Sequence, residues 1–456
     1  MIKNNRISFV AVSVLFSLFI LGSAAVFAQP ARSSLRDQAS EVTEFEVNGL
    51  KVIVKNRPTT SSVAAGLFIK GGARNITAET SGIEILMLEA AAEASRNYPR
   101  EALRRELAFT GSTISSGINN DFSVLALAST KENFAESWKM FSDIAMYPRF
   151  ESADIERVKE QRLTGLREAE TDNDNFLQIL QERIVFRGHP YSVDVGGTLQ
   201  TIPKFTARDL RDFHGQLMQT SRLLLVVVGN IDASELKGMV ESTLGKLPRG
   251  KYEPVKVPEI EIPRSAIEIT RRPLPTNYIQ GVFKAPGLSS PDYYPMKIAM
   301  AILQARVFQS VRVERQLSYA PNAEMNSDAA NTAYIYVTTV NPNEAITLML
   351  DDMDGLKSDL EDPRLLSSIS GHFLTLHYMD QETNAAQARE LARYELFGGG
   401  WRNAFDFLDK IRSVTPEEVQ AVSKKYFKHI YFVAIGDPAL INKSVFLRED
   451  ENTEAK

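Results

Sequence analysis

Residues 206–230 read TARDLRDFHGQLMQTSRLLLVVVGN, and residues 415–437 read TPEEVQAVSKKYFKHIYFVAIGD. Each opens on a threonine followed three residues later by an acid. In that arrangement the Thr hydroxyl takes the third free N–H of a helix and the acid reaches back to the first. Pro416 sits at the first helical position, where its missing N–H costs nothing. Each stretch then enters an unbroken apolar run, Leu223 to Val228 and Ile430 to Ile435, closed by Gly229-Asn230 and Gly436-Asp437. Runs this short and this apolar read as strands buried on both faces. The cap-to-glycine spacing is 23 residues in the first copy and 21 in the second. Shared order, spacing and closure point to a duplicated α+β unit.

Between the copies, residues 248–263 carry Pro248, Pro254, Pro258 and Pro263 among alternating charges and read as a linker. The expected modules are therefore residues 42–247 and 264–445, with a charged tail over 446–456. In the first module, 51–55 and 63–69 read as strands, while 81–96, 100–109, 131–146 and a long charged stretch over 151–185 read as helices. Ahead of it, Lys3 and Arg6 precede an apolar run from Phe9 to Leu21 and the small-residue site Val26-Phe27-Ala28. That is the pattern of a secretory signal peptide over residues 1–28, with a retained anchor as the alternative. Residues 29–41 read as a polar linker, and no other segment is long and apolar enough to span a membrane.

Across 456 residues the formal net charge is −5 and there is no cysteine. The charge argues against nucleic acid, whose binding needs concentrated Lys and Arg. The absence of cysteine excludes disulfides, a thiol nucleophile and cysteine-held zinc. The expected location is the periplasm or the cell exterior.

Several local stretches, in order, carry a resemblance. They are Gly71-Gly72-Ala73-Arg74 with Ser81-Gly82-Ile83, then Gly188-His189-Pro190-Tyr191, then Val227-Val228-Gly229-Asn230, and finally Arg306-Val307-Phe308 with Arg312 and Leu317-Ser318-Tyr319. Together they resemble the pitrilysin (insulinase-like, inverzincin) peptidases, especially the short processing-peptidase-like members, over nearly all of 42–445. The resemblance implies two homologous α+β modules, each a mostly antiparallel sheet packed by helices, closing like a clam around a chamber.

Active members carry HxxEH on the helix after the Ser-Gly entry: two imidazoles on one helical face hold zinc and a Glu serves as base. Laid after Ser81-Gly82, the three roles fall on Ile85, Leu88 and Glu89. Neither Ile nor Leu can bind metal or move a proton. Glu160 and Glu168 lie where a distal carboxylate ligand would be sought. Glu89 and Glu93 form an i,i+4 acidic pair that reads as a solvated helix face. His372 and His377 are five residues apart, roughly 140° around a helix, and do not make a substitute pair. No metal is expected in this chain.

The second-module signature is retained as Arg312 and Tyr319. In the family these face the zinc across the chamber, where a hydroxyl and a guanidinium can stabilise charge growing on a carbonyl oxygen. Peptides bind such enzymes by adding a strand to a sheet edge. Here Gly111 to Asn120 takes that position, with Ser115, Gly117 and Asn119 as candidate substrate-binding residues. The expectation is a non-catalytic subunit that pairs with an HxxEH-bearing homologue holding the zinc and completes a peptide-cleaving chamber. The alternative is a catalytically dead peptide-binding or scaffold protein.

Overall fold

The structure is a computed structural model that describes residues 38–448. The expected leader and most of the linker over 29–41 lie outside the described residues, as does the tail beyond 448. The first module runs β1 Val42–Val47, β2 Leu50–Asn56, β3 Ser62–Lys70, α1 Ile83–Ala91, α2 Arg100–Thr110, β4 Thr113–Ile118 and β5 Phe122–Thr130. It continues with α3 Phe134–Met146, α4 Ser152–Thr171, α5 Asn173–Val185, α6 Ala207–Leu217, β6 Leu223–Gly229 and α7 Ala233–Ser242. The second runs β7 Ala266–Arg271, β8 Asn277–Lys284, α8 Tyr293–Val307, β9 Asn322–Met325, β10 Thr332–Thr339, α9 Pro342–Ser358 and α10 Pro363–Asp380. It ends with α11 Asn384–Phe397, α12 Phe407–Arg412, α13 Pro416–Tyr426, β11 Tyr431–Gly436 and α14 Lys443–Phe446.

Strand order is β1-β2-β6-β3-β5-β4 in one sheet and β7-β11-β8-β10-β9 in the other. β6 lies parallel to β2 and antiparallel to β3; β11 lies parallel to β7 and antiparallel to β8. The second sheet is thus the first without its edge strand β1, and the two quoted stretches are α6–β6 and α13–β11. Both capping boxes form. Asp209 accepts the Thr206 N–H at 2.7 Å, and Glu418 accepts the Thr415 N–H at 2.9 Å.

The stretch over 151–185 is two helices, not one. Asp172 leaves the helical conformation and its carboxylate accepts the Asn175 N–H, capping a new helix. The break lets α5 cross onto the other module, where it packs on β8 and β11. Its counterpart α11 packs on β3 and β6. The exchange is reciprocal down to single bonds. Arg272, just past β7, donates Nη1 to Asn173 Oδ1 at 3.0 Å, and Arg57, just past β2, donates Nη1 to Asn384 Oδ1 at 2.5 Å. Each module so covers a sheet face of the other, and burying such apolar faces is the main force holding them together.

A polar latch adds to this. Asp121, in the β4–β5 turn, accepts the Tyr191 hydroxyl at 2.6 Å and the Ala329 N–H of the second module at 2.8 Å. Residues 248–263 are extended, as expected of a linker, but they are fastened down. Ile260 and Ile262 are buried, Arg74 donates Nη1 to the Val255 carbonyl at 3.2 Å, and His189 donates Nε2 to the Pro258 carbonyl at 3.0 Å. The tail starts later than its charge suggests. Phe446 is buried with its ring 5.0 Å from that of Phe432, and Arg448 pairs with Asp351 at 2.9 Å. Among the described residues no helix is long and apolar enough to cross a membrane.

Candidate functional site

Helix α1 starts after Gly82, whose φ of +84° suits glycine. A Cβ there would lie 2.5 Å from the Gly197 Cα, so the two glycines let the loop before α6 close on the helix start. Ser81 fixes the approach by donating to the Asp194 carbonyl at 2.6 Å. The helix is shorter than the expected 81–96 and is almost wholly inside. Ile85 and Leu88 are 3% and 0% exposed, part of the first module's interior.

Glu89 is the first residue of α1 to reach a groove, and there it meets an arginine. Arg162, on α4, donates Nε and Nη2 to the two Glu89 oxygens at 2.9 and 2.7 Å, and Nη1 to the Gly196 carbonyl at 2.8 Å. This fork-to-fork pair uses both carboxylate oxygens and is the strong geometry for an ion pair. Glu93 is likewise not solvated. It accepts from Arg100 at 3.0 Å, Arg104 at 3.4 Å and Arg157 at 2.6 Å. Glu160 and Glu168 are exposed, so the α4 residue that faces α1 is Arg162, 73 residues after Glu89. The group on α4 that meets Glu89 is thus a cation and not a carboxylate. Two aliphatic side chains and an arginine-bound glutamate do not fit a zinc ion, and among the described residues no three His, Cys, Asp or Glu side chains gather to hold one.

The histidines serve structure. His214 hydrogen-bonds the Ala145 carbonyl at 2.9 Å, and His377 stacks on Phe407 with centroids 5.3 Å apart. His189 accepts the Tyr191 N–H at 3.2 Å, which holds the latch tyrosine in place.

The groove holding Glu89 and Arg162 has a volume of about 470 Å³ and includes Ile114, Ser115 and Ser116 of β4. Among the described residues β4 is an edge strand, paired only with β5. The Asn119 N–H donates inward to the Phe122 carbonyl at 2.9 Å, so by antiparallel alternation Gly117 and Ser115 also face β5. The backbone groups left facing outward are those of Ile114, Ser116 and Ile118, one step out of register with the candidates Ser115, Gly117 and Asn119. Asn119 is further committed, its Oδ1 accepting the Asp121 and Phe122 N–H groups at 2.9 Å.

Arg312 and Tyr319 do come together. Helix α8 widens into a π-helical segment over Phe308–Glu314, a form that recurs at functional sites. The Arg312 guanidinium carbon lies 5.0 Å from the Phe308 ring centroid and 4.1 Å from that of Tyr319. Tyr319 is 80% exposed, and Arg312 makes no hydrogen bond or ion pair among the described residues. The pair lines neither the Glu89–Arg162 groove nor the cavity between the modules.

Comparisons with known proteins give the family. The description "Insulinase (Peptidase family M16)" matches residues 51–198, and "Peptidase M16 inactive domain" matches residues 204–365. The chain belongs to peptidase family M16. It is similar to the mitochondrial-processing peptidase subunit beta of Saccharomyces cerevisiae, 20% identical over 435 residues, 89% of this chain and 93% of that one. It is also similar to cytochrome b-c1 complex subunit 1 of Mus musculus, 23% identical over 292 residues, 63% of this chain and 60% of that one. Among solved structures, a peptidase M16 inactive domain from Pseudomonas fluorescens shares the fold with a TM-score of 0.78 at 19% identity, covering 87% of this chain and 98% of that one. The first half of the periplasmic protease PqqL from Escherichia coli does so with a TM-score of 0.74 at 14% identity, covering 91% and 97%. The inactive-domain match and the displaced HxxEH residues accord with a non-catalytic M16 chain.

Proposed function

We propose that this chain is the non-catalytic subunit of an exported, two-chain zinc peptidase, paired with an HxxEH-bearing homologue that holds the zinc. One observation carries the reading. Arg312, half-buried between Phe308 and the exposed Tyr319, has no carboxylate partner among the described residues, while on α1 the positions laid against HxxEH hold Ile85, Leu88 and the arginine-paired Glu89. A free guanidinium and an exposed phenol are donors for negative charge growing on a peptide carbonyl oxygen. With no acceptor of their own, they are available to a second chain. The similarity to a subunit of a mitochondrial processing peptidase supports pairing.

The test is reconstitution. The purified chain is expected to hold no stoichiometric zinc and to cleave no peptide, and mixing with an HxxEH partner is expected to give zinc-dependent cleavage. In the mixture, Tyr319→Phe is expected to lower the rate by about 10²–10³, the usual cost of one oxyanion donor. Variants that pair normally and cleave at the wild-type rate would sink the assignment. The second reading, a scaffold or peptide-binding protein of the cell envelope, would then stand. Similarity to a subunit of the cytochrome b-c1 complex favours that reading.

A further inference from the structure

A cavity of about 580 Å³ lies between the modules, within the usual size range for ligand sites. Its lining is unusual in chemistry. Asn119 and Asn120 come from the β4–β5 turn, and Asn175, Gln178 and Gln181 from α5. From the second module come Gln280, Asn322 and Asn326, making eight carboxamides in all. Three carboxylates, Asp174, Glu182 and Asp328, join them, with no lysine or arginine among the described residues of the lining. None of the three is ion-paired among the described residues. Burial pushes Glu182 and Asp328 up to about 7, helped by Asp194 for the first and Asp121 for the second. The Asn120 and Asn175 side chains have no hydrogen-bond partner among the described residues.

This cavity is continuous with the free strand edge. Ile118 is the last residue of β4 whose backbone faces outward, and it is also the first residue of the cavity lining. At the other end of the same edge, Ile114 and Ser116 line the Glu89–Arg162 groove. A strand laid along β4 therefore leaves the groove at one end and enters the carboxamide cavity at the other.

We propose that the cavity selects which peptides this chain accepts, taking segments with uncharged polar side chains and rejecting acidic ones. The inference rests on the peptide-binding reading above and adds the substrate class. Each carboxamide offers a donor and an acceptor without charge, so Ser, Thr, Asn and Gln side chains can be paired in several orientations. A carboxylate entering there finds no cation to pair with among the described residues and acidic groups that repel it in their charged form, and it is rejected chiefly by lost hydration. Long apolar side chains would strip water from the carboxamides without replacing their bonds.

The experiment measures binding to the full chain, alone and paired, by fluorescence anisotropy. One labelled peptide is made of Ser, Thr, Asn and Gly; a second has its Asn residues replaced by Asp. The first is expected to bind at least about tenfold tighter, the equivalent of 1.4 kcal/mol. Asn175→Lys, at an exposed position, and Gln280→Lys, at a half-buried one, each place a cation at the cavity, and each is expected to reverse or erase the preference. Equal binding of the two peptides to the wild-type chain overturns the proposal while leaving strand addition at β4 intact. So does a preference that both Lys variants leave unchanged. Failure of both peptides to bind, to the chain alone and to the paired form, sinks the peptide-binding reading itself and this proposal with it.

Discussion

Two arginines, one in each module, show what the duplication has done with the same side chain. Arg162 is fully committed: all three nitrogens donate, two to Glu89 and one to the Gly196 carbonyl, and its side chain is 17% exposed. Among the described residues Arg312 is held by two aromatic faces and makes no hydrogen bond or ion pair. Cation–π contacts orient a guanidinium without using its N–H groups. The first arginine is therefore part of the fold, tying α4 to α1 and to the loop at Gly196. The second is presented to solvent. Charge that is already neutralised cannot serve a substrate, and charge that is oriented but unneutralised can.

The widest separation between the two should come from activity. Arg312→Ala in the reconstituted enzyme is expected to lower kcat/KM by at least about 10²-fold. Its effect on stability should stay within about 1 kcal/mol, the scale of an exposed cation–π contact. Loss of unfolding free energy matching the loss of rate would mean that Arg312 is structural and the contrast false. Arg162→Ala is expected to do the reverse. It strands Glu89 in a half-buried groove and should cost about 1–3 kcal/mol by urea denaturation. Replacing both partners, Glu89→Leu with Arg162→Met, should recover much of that loss, because an ion pair exchanged for apolar packing is often neutral. A double variant as unstable as Arg162→Ala would show that the pair does more than cancel its own charges.

Much of this was legible in the chain itself. The two capping boxes and their following strands identify the duplication because local hydrogen bonds and apolar runs are written in consecutive residues. Ile85 and Leu88 are legible as aliphatic for the same reason, and the structure places both in the first module's interior. The reciprocal exchange of α5 and α11 was hidden, since it depends on Asp172 capping a helix inside a charged stretch that looks continuous. Arg162 stands out less in the sequence than the nearby carboxylates Glu160 and Glu168; its spacing of 73 residues from Glu89 is the signal that marks it. The pairing of Glu93 with three arginines from α2 and α4 could not be read either, because ion pairs across a fold leave no periodicity. At β4, small polar residues marked the edge, but which backbone groups face outward is fixed only by the register with β5.

The finest test lies within α1, where Glu84 sits five residues before Glu89 and is treated differently. Glu84 is wholly buried and is held by neutral donors, the Ser123 hydroxyl and Asn75 Nδ2 at 2.9 Å, where Glu89 has a guanidinium in contact. Burial raises its pKa to about 7, and the bonds from Ser123 and Asn75 and the charge of Arg222 offset only part of that. The native state therefore keeps a proton that the unfolded chain, with an ordinary value of 4.5, has released. Where the folded protein binds more protons than the unfolded one, stability falls as pH rises. Glu84 should thus favour the folded state most below pH 4.5 and lose that contribution as pH climbs to about 7. Glu182 and Asp328 have raised values and act with the same sign, so the wild-type slope is shared among them. Glu84→Gln keeps the shape and cannot ionise. Its urea midpoint, relative to wild type, is expected to rise steadily between about pH 5 and 8. A difference between the two proteins that does not change with pH would show that Glu84 ionises as readily inside the fold as outside it. The neutral donors around it would then be doing the work that Arg162 does for Glu89.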